Sequence, residues 1–320
     1  MIDETGFGEV YLKNEPMHVN NDTSDKAALL FVTHFLSRHI LKEYMNIKTQ
    51  CSSKYDVILL CETSHWNFGR ATSNLPITPF YFDFNRYSTL GYRNWQTGRW
   101  RQGVVPGNLD FLFLSFFLEN PNYDYYWILE YDVRFTGRWK TFFDRFSHSE
   151  ADLLTTTVRR YAKDPSWFWW FAVSPPTKTL EPRLGKPLTN AELIAGFMPI
   201  ARFSRKACTF LDKMYKLDWC GHHEVIVPSL LARHGFSIED IGGTGEFVKR
   251  GNENRFYTGR LNGSPALLRT FRYRPTMHRS GWGRNRLWHP VKEDLPYGKV
   301  WREKLEWIDR WVRFHWKSYS

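Results

Sequence analysis

Two carboxylates stand two residues apart at the end of an apolar run. Tyr125-Tyr-Trp-Ile-Leu-Glu-Tyr131 leads directly into Asp132. Side chains alternate between the two faces of an extended strand, so Glu130 and Asp132 point to the same side. Two convergent carboxylates and a diphosphate suit a hard divalent cation, Mg²⁺ or Mn²⁺. Such an ion neutralises charge that builds on a departing nucleoside diphosphate. An isolated Glu-x-Asp is equally what a solvated turn after a strand looks like. The strongly apolar strand and the Trp and Tyr residues around it favour the metal reading.

The elements needed to position such a pair are legible. Ala27–Thr33, Tyr55–Cys61 and Tyr125–Tyr131 are short continuous apolar runs, the pattern of strands buried on both faces. Phe80–Phe82 is a shorter strand, Leu153–Val158 another, and Gly196–Phe203 a further one. Helical spacing predicts helices over residues 35–49, from Asn108 as cap to Leu118, from the cap Ser204 to about Tyr215, from about Glu224 to His234, and over 301–316. The 108–118 helix is apolar all round and must be buried on most sides. Strands alternating with helices predict a doubly wound α/β sheet, with ligands at the carboxyl ends of its strands. Residues 164–187 read as an irregular loop carrying Trp167, Trp169 and Trp170. Residues 242–296, rich in Gly, Arg and Asn, are expected to wrap a face of the sheet.

The Glu130-Tyr131-Asp132 segment resembles the acidic metal-binding motif of glycosyltransferases with the GT-A fold, usually Asp-x-Asp and sometimes Glu-x-Asp. Its surroundings, Tyr123 to Gly137, resemble a family of such transferase-like proteins. The likeness is sharp over residues 108–139 and looser elsewhere. It implies a GT-A-like (Rossmann-like) mostly parallel sheet flanked by helices, with an elaborated C-terminal half. It implies transfer of a sugar from a nucleotide-sugar donor to a glycan or lipid-linked acceptor, assisted by Mn²⁺ or Mg²⁺ and serving polysaccharide biosynthesis. Because the donor nucleotide of that fold lies across the first strands, Thr33, His34 and Glu62 are implied as its contacts. Asn108 and Asp110, at the head of the buried helix, are assigned to the same role. A late histidine is often a third metal ligand, and His289 in Leu287-Trp-His-Pro-Val-Lys292 is preferred to His278. Inverting members carry a carboxylate base where Gly221-His-His-Glu224 opens a helix. Glu224 is therefore the candidate base, with His222 or His223 close by. If Glu224 only complements the helix N-terminus, a retaining mechanism stays open.

The rest of the sequence bounds the function. The chain has 320 residues and a net charge of +11, with 15 Trp, 16 Tyr and 25 Phe. Basic, aromatic proteins also bind single-stranded nucleic acid. Here Lys and Arg are scattered and no RNA-recognition strand motif is present, so nucleic acid is not the expected partner. A glycoside hydrolase that pairs Glu130 or Asp132 with Glu224 is the other alternative. Arg269, Arg272, Arg274, Arg279, Arg284 and Arg286 can clamp phosphates, although most are expected to be solvated. Gly242-Gly-Thr-Gly245 lacks the Gly-Lys-Ser/Thr ending of a phosphate loop. Cys51, Cys61, Cys208 and Cys220 form no CxxC pair and read as free thiols. With no leader-like apolar segment near Met1, the expected location is the cytoplasm or its membrane face. Trp301, Leu305, Ile308 and Val312 form an apolar stripe among basic residues, which suits either packing on the domain or peripheral membrane contact. The expected organisation is a polar lead-in over 1–24 and one domain over 25–320. That domain divides into a nucleotide-sugar half (25–160), an acceptor half (161–296) and a terminal helix (297–320).

Overall fold

A computed structural model of the chain describes residues 27–63, 77, 79–93, 108–177, 182–259 and 266–316. The expected lead-in lies outside them. The strands are β1 (Ala27–Thr33), β2 (Tyr55–Glu62), β3 (Phe80–Phe82), β4 (Tyr125–Glu130), β5 (Arg134–Phe135), β6 (Leu153–Arg160), β7 (Val173–Ser174), β8 (Ile194–Ser204), β9 (Cys220–Gly221), β10 (Ile238–Asp240) and β11 (Leu287–Trp288). The helices are α1 (Arg38–Cys51), α2 (Phe84–Thr89), α3 (Leu109–Glu119), α4 (Trp139–Asp144), α5 (Pro182–Gly185), α6 (Arg205–Lys216), α7 (His223–Arg233) and α8 (Tyr297–Trp316).

Seven strands form one sheet in the order β10-β6-β8-β4-β1-β2-β3. The pairs β1·β2, β1·β4, β2·β3 and β6·β10 are parallel. Only β8 runs the other way, between β4 and β6. The fold is thus the expected α/β class, with a mostly parallel central sheet flanked by helices. Because β8 is reversed, its first residues lie at the same edge as the carboxyl ends of β1, β2, β4 and β6.

Alternation along the strands explains the two cores. Ala28, Leu30 and Val32 of β1 face one side, with Phe113, Phe116 and Phe117 of α3 and Leu211 and Met214 of α6. Leu29 and Phe31 face the other, with Ile40, Tyr44 and Ile47 of α1 and Trp139, Phe142 and Phe143 around α4. Both faces are buried, which is why the strands read as unbroken apolar runs. Residues 242–296 contribute Phe256, Tyr257, Phe271 and Leu287 to the second core. Helix α1 starts three residues later than its apolar spacing suggests, because the Ser37 hydroxyl accepts the amide of Ile40 at 3.2 Å and caps it there. Ser204 caps α6 as expected, accepting from the Ala207 amide. All four cysteines are unpaired and buried.

Arg202 of β8 is buried at 2% exposure, beneath the opposite edge of the sheet. Its guanidinium donates to the carbonyls of Phe146, Ser149 and Ala151 at 2.8, 2.6 and 3.1 Å and lies over the Tyr125 ring. The Phe146 carbonyl also accepts the Ser149 amide at 3.1 Å, so loss of Arg202 strands the carbonyls of Ser149 and Ala151. Arg202→Ala is expected to cost about 3 kcal/mol or more of unfolding free energy in urea titration.

Candidate active site and metal centre

The site is assembled at the carboxyl edge of the sheet. Strand β4 ends at Glu130, and the chain turns at once, with the Val133 amide donating to the Glu130 carbonyl at 3.0 Å. The Tyr131 amide donates to Val32 of β1 at 2.9 Å, which fixes Asp132 next to that strand. The far end of the chain then returns to the same place. The Val291 amide donates to the Asp132 carbonyl at 2.8 Å, and the His289 amide donates to Thr270 at 2.9 Å. This brings Glu130, Asp132 and His289 together, with one ligand atom from each within 4.8 Å of the others. His289 Nε2 lies 3.4 Å from Asp132 Oδ1 and 4.0 Å from Glu130 Oε2, and Lys292 Nζ lies 3.4 Å from Asp132 Oδ2.

The donor set fits a divalent cation. His289 Nδ1 sits 2.8 Å from the Arg272 carbonyl, which can only accept, so Nδ1 carries a proton and Nε2 faces the carboxylates, charged as an imidazolium when no ion is bound and able to give its lone pair to one. Asp132 Oδ1 is buried without a well-formed hydrogen bond, as a ligand atom awaiting an ion would be. The imidazole is wedged between Phe197 and Phe271, with ring centres 5.2 and 5.3 Å away.

The two carboxylates titrate apart. Burial, and then the Asp132 charge, push Glu130 up to about 7. Burial would raise Asp132 as well, but His289 and Lys292 outweigh it and hold that carboxyl well below its usual range. His289 is shifted upward: burial opposes its charge, and Asp132 and then Glu130 overcome that.

Glu224 faces the cluster from α7. One carboxylate oxygen is 3.5 Å from the Met198 amide at the start of β8. Burial, with a contribution from Glu130, pushes it up to about 7, while Arg159, the Met198 amide and His289 pull the other way. The entry to α7 is tightly built. His222 Nδ1 accepts the Glu224 amide at 3.3 Å, and the Asn108 side-chain amide donates to the Gly221 carbonyl at 3.4 Å. A Cβ on Gly221 would stand 2.5 Å from the Ala172 carbonyl oxygen, so only glycine allows β9 to lie against the loop before β7. That loop carries a 3₁₀ turn, Phe168–Phe171. Trp170 is buried in it and Trp169 stacks on His222 at 4.9 Å, while Phe168 and Phe171 are 80% and 71% exposed.

Arg159 is a functional candidate that the sequence reading missed. It is buried at the end of β6, bonded to Asp164 at 3.0 Å, and lies 4.6 Å over the Trp167 ring. A bulge aims it there: the β6·β8 register slips between Thr156 and Arg159, and Thr157 has a φ of 53°. A β-branched residue in that region is strained. The Thr157 amide is held by the Tyr257 hydroxyl and the Val158 amide by Asp240. No spacing rule signals a bulge of this kind.

The other predicted contacts are placed as follows. His34 is exposed and, with Phe35 and Tyr131, lines a cavity of about 310 Å³ that also holds Arg134 and Lys292. Thr33 is buried at the end of β1, its hydroxyl donating to the Phe35 carbonyl. Glu62 is buried at the end of β2 on the same edge. Asp110 is not brought to the cluster: it is buried between α3 and α6, where the Tyr215 hydroxyl donates to it. Of the six arginines, Arg272 spends its guanidinium on the carbonyls of Leu267, Arg269 and Pro275, and Arg274 pairs with Glu303. The amides of Gly242 and Gly243 are taken by Asp240, both at 2.9 Å, in keeping with the rejection of a phosphate loop.

No family profile and no curated protein matches the chain. Solved structures with a loose likeness include a protein of Bacillus anthracis described as a glucose-1-phosphate thymidylyltransferase (12% identity, 68% of this chain and 87% of that one, TM-score 0.36). Core-mannan synthase A of Aspergillus fumigatus in its Mn/GDP form is another (11% identity, 75% and 80%, TM-score 0.31), and the mannosyltransferase Ktr4p of S. cerevisiae a third (11%, 71% and 73%, TM-score 0.32). At scores this low the architecture rests on this chain's own strand order and pairing.

Glu130 and Glu224 hold protons more tightly when folded than at the ordinary glutamate value of 4.5. The metal-free protein should therefore lose stability as pH rises from 4.5 through about 7. Asp132 acts oppositely, its contribution vanishing only as pH falls below its ordinary value of 3.8. A cation must displace the Glu130 proton, so the rise in melting temperature caused by Mn²⁺ should at least double between about pH 6 and about pH 8. Thermal shift on the wild type checks this, and Asp132→Asn or His289→Ala should abolish the rise.

Proposed function

We propose that the chain is a metal-dependent glycosyltransferase acting on a nucleotide-sugar donor. The observation that carries the reading is the convergence of Glu130, Asp132 and His289 beside a cavity lined by His34, Phe35, Tyr131 and Lys292, with Glu224 in electrostatic reach of the same cluster. The nucleotide occupies the cavity, its base against His34, Phe35 and Tyr131 and its diphosphate toward Lys292. Glu130, Asp132 and His289 would hold Mn²⁺ or Mg²⁺, which supplies positive charge to the departing diphosphate.

Glu224 acts as general base. As the acceptor oxygen bonds to the anomeric carbon, its proton passes to the Glu224 carboxylate. The bond from the anomeric carbon to the phosphate oxygen breaks, and its electron pair leaves with the nucleoside diphosphate. A carboxylate poised near 7 is matched to taking a proton at neutral pH. Attack from the side opposite the leaving group inverts the sugar. The Arg159 charge tempers the affinity of Glu224 for the proton. The acceptor is a glycan, free or lipid-linked, whose C–H faces pack on the exposed Phe168 and Phe171 rings.

A thermal-shift screen of UDP, GDP, CMP and their sugar conjugates, with and without Mn²⁺, tests the donor. A metal-dependent rise with one nucleotide, lost in Asp132→Asn, is expected. No rise with any of them sinks the proposal, and release of sugar from an oligosaccharide without nucleotide would make the chain a hydrolase. With the donor known, Glu224→Gln should keep the donor-induced rise and lower kcat by about 10²- to 10⁴-fold. An unchanged kcat would remove Glu224 from the base role.

A further inference from the structure

Helix α8 has two apolar faces, and the domain uses one. Val300 is 2% exposed, Trp307 is half-buried, and Glu303 between them accepts from the Thr276 amide at 3.1 Å and pairs with Arg274 at 2.9 Å. Those positions are three and four residues apart and form the stripe that packs inward. Tyr297, Trp301, Leu305 and Ile308 form a second stripe about a third of a turn away, and they are 54%, 58%, 60% and 40% exposed. The choice left open by the sequence, packing on the domain or lying on a membrane, is therefore not a choice between uses of one face.

We propose that this second stripe seats the protein on an anionic lipid surface, with α8 lying in the plane of the headgroups. Three features select that occupant. The stripe mixes Trp and Tyr with aliphatic side chains, whose apolar bodies and polar tips suit a headgroup boundary. Positive charge borders it: Lys304 lies 5.1 Å over the Trp301 ring and Arg302 is exposed next to Trp301, with Glu306 and Asp309 the exposed acids of the same helix. Residues 266–316 as a whole carry twelve Lys and Arg against five Asp and Glu. The neighbouring loop adds to the surface, because His278 stacks on Tyr297 at 3.8 Å and the segment around it leaves Tyr273 and Trp282 72% and 101% exposed. A second copy of the chain on the stripe would instead bring two net positive 266–316 segments together. Among the described residues no helix is long and apolar enough to cross a membrane, so the contact is peripheral.

The inference rests on no part of the transfer reaction, and its test uses no nucleotide. The full chain is sedimented with vesicles of pure phosphatidylcholine and with vesicles containing about one-third phosphatidylglycerol. The wild type should sediment with the anionic vesicles and at least about ten-fold less with the neutral ones, and salt should release it. Trp301→Ser/Leu305→Ser should lose the binding while keeping the wild-type melting temperature, since both side chains are exposed. Arg302→Glu/Lys304→Glu should lose the preference for anionic vesicles. Wild type that stays in the supernatant with both vesicles overturns the proposal, as does a serine variant that sediments like wild type. A wild-type dimer by light scattering that the serine variant makes monomeric, with no vesicle binding, would assign the stripe to a second copy.

Discussion

The structure turns on the compensation of two carboxylates at the end of a buried strand. Asp132 is buried and Glu130 half-buried beside it, and a buried charge without partners is costly. The compensating cations come from the far end of the chain, as His289 and Lys292. Much of the elaborated C-terminal half can be read as the means of delivering them. The Arg272 amide donates to the His289 carbonyl at 3.1 Å and the Arg272 carbonyl holds the other side of the same residue through Nδ1. The Arg272 guanidinium, spent on three backbone carbonyls, locks that brace, and burial pushes its pKa down to about 10 without discharging it at neutral pH. Removing the return segment would leave the pair at the end of β4 facing each other alone.

The reversal of β8 is the second constraint. A parallel strand in that slot would present its carboxyl end at the site edge, whereas β8 presents its beginning. Its first turn of backbone supplies the Met198 amide to Glu224, and Phe197 to the face of His289. The slip in register against β6 follows from the same region. Past the slip Arg159 pairs with Ala195 and its side chain lies over Trp167, and the strain at Thr157 is contained by Tyr257 and Asp240.

How much of this the sequence carries depends on whether a feature is local. β1, β2 and β3 are legible because strands buried on both faces leave no alternation to confuse with a helix, and polar residues bound each run. Glu130 and Asp132 are legible because their relation is fixed by two residues of strand. The start of α1 is misplaced because Phe35 and Leu36 satisfy the helical period while the Ser37 hydroxyl decides the cap. Capping-box spacing at Thr189 and Glu192 is met by real hydrogen bonds, 2.9 and 2.7 Å, yet the chain makes a turn into β8, since the apolar run that follows belongs in the sheet. His289 enters only through the family resemblance, and Lys292 and Arg159 not at all as site residues. Their meeting with β4 and α7 is set by sheet order and a bulge, neither of which leaves a period in the sequence.

The electrostatics of the cluster link its parts into one titrating unit. Glu130 raises the proton affinity of Glu224, and His289 and Arg159 lower it. A cation held by Glu130, Asp132 and His289 would take the place of the protons that the cluster keeps on His289 and, in part, on Glu130, so it would add little net charge around Glu224. Without a cation, a partly protonated Glu130 and Glu224 spare the fold two half-buried negative charges. The residues that make the site suitable for a metal are thus the same ones that let the protein fold without it, with a proton in the place of the ion.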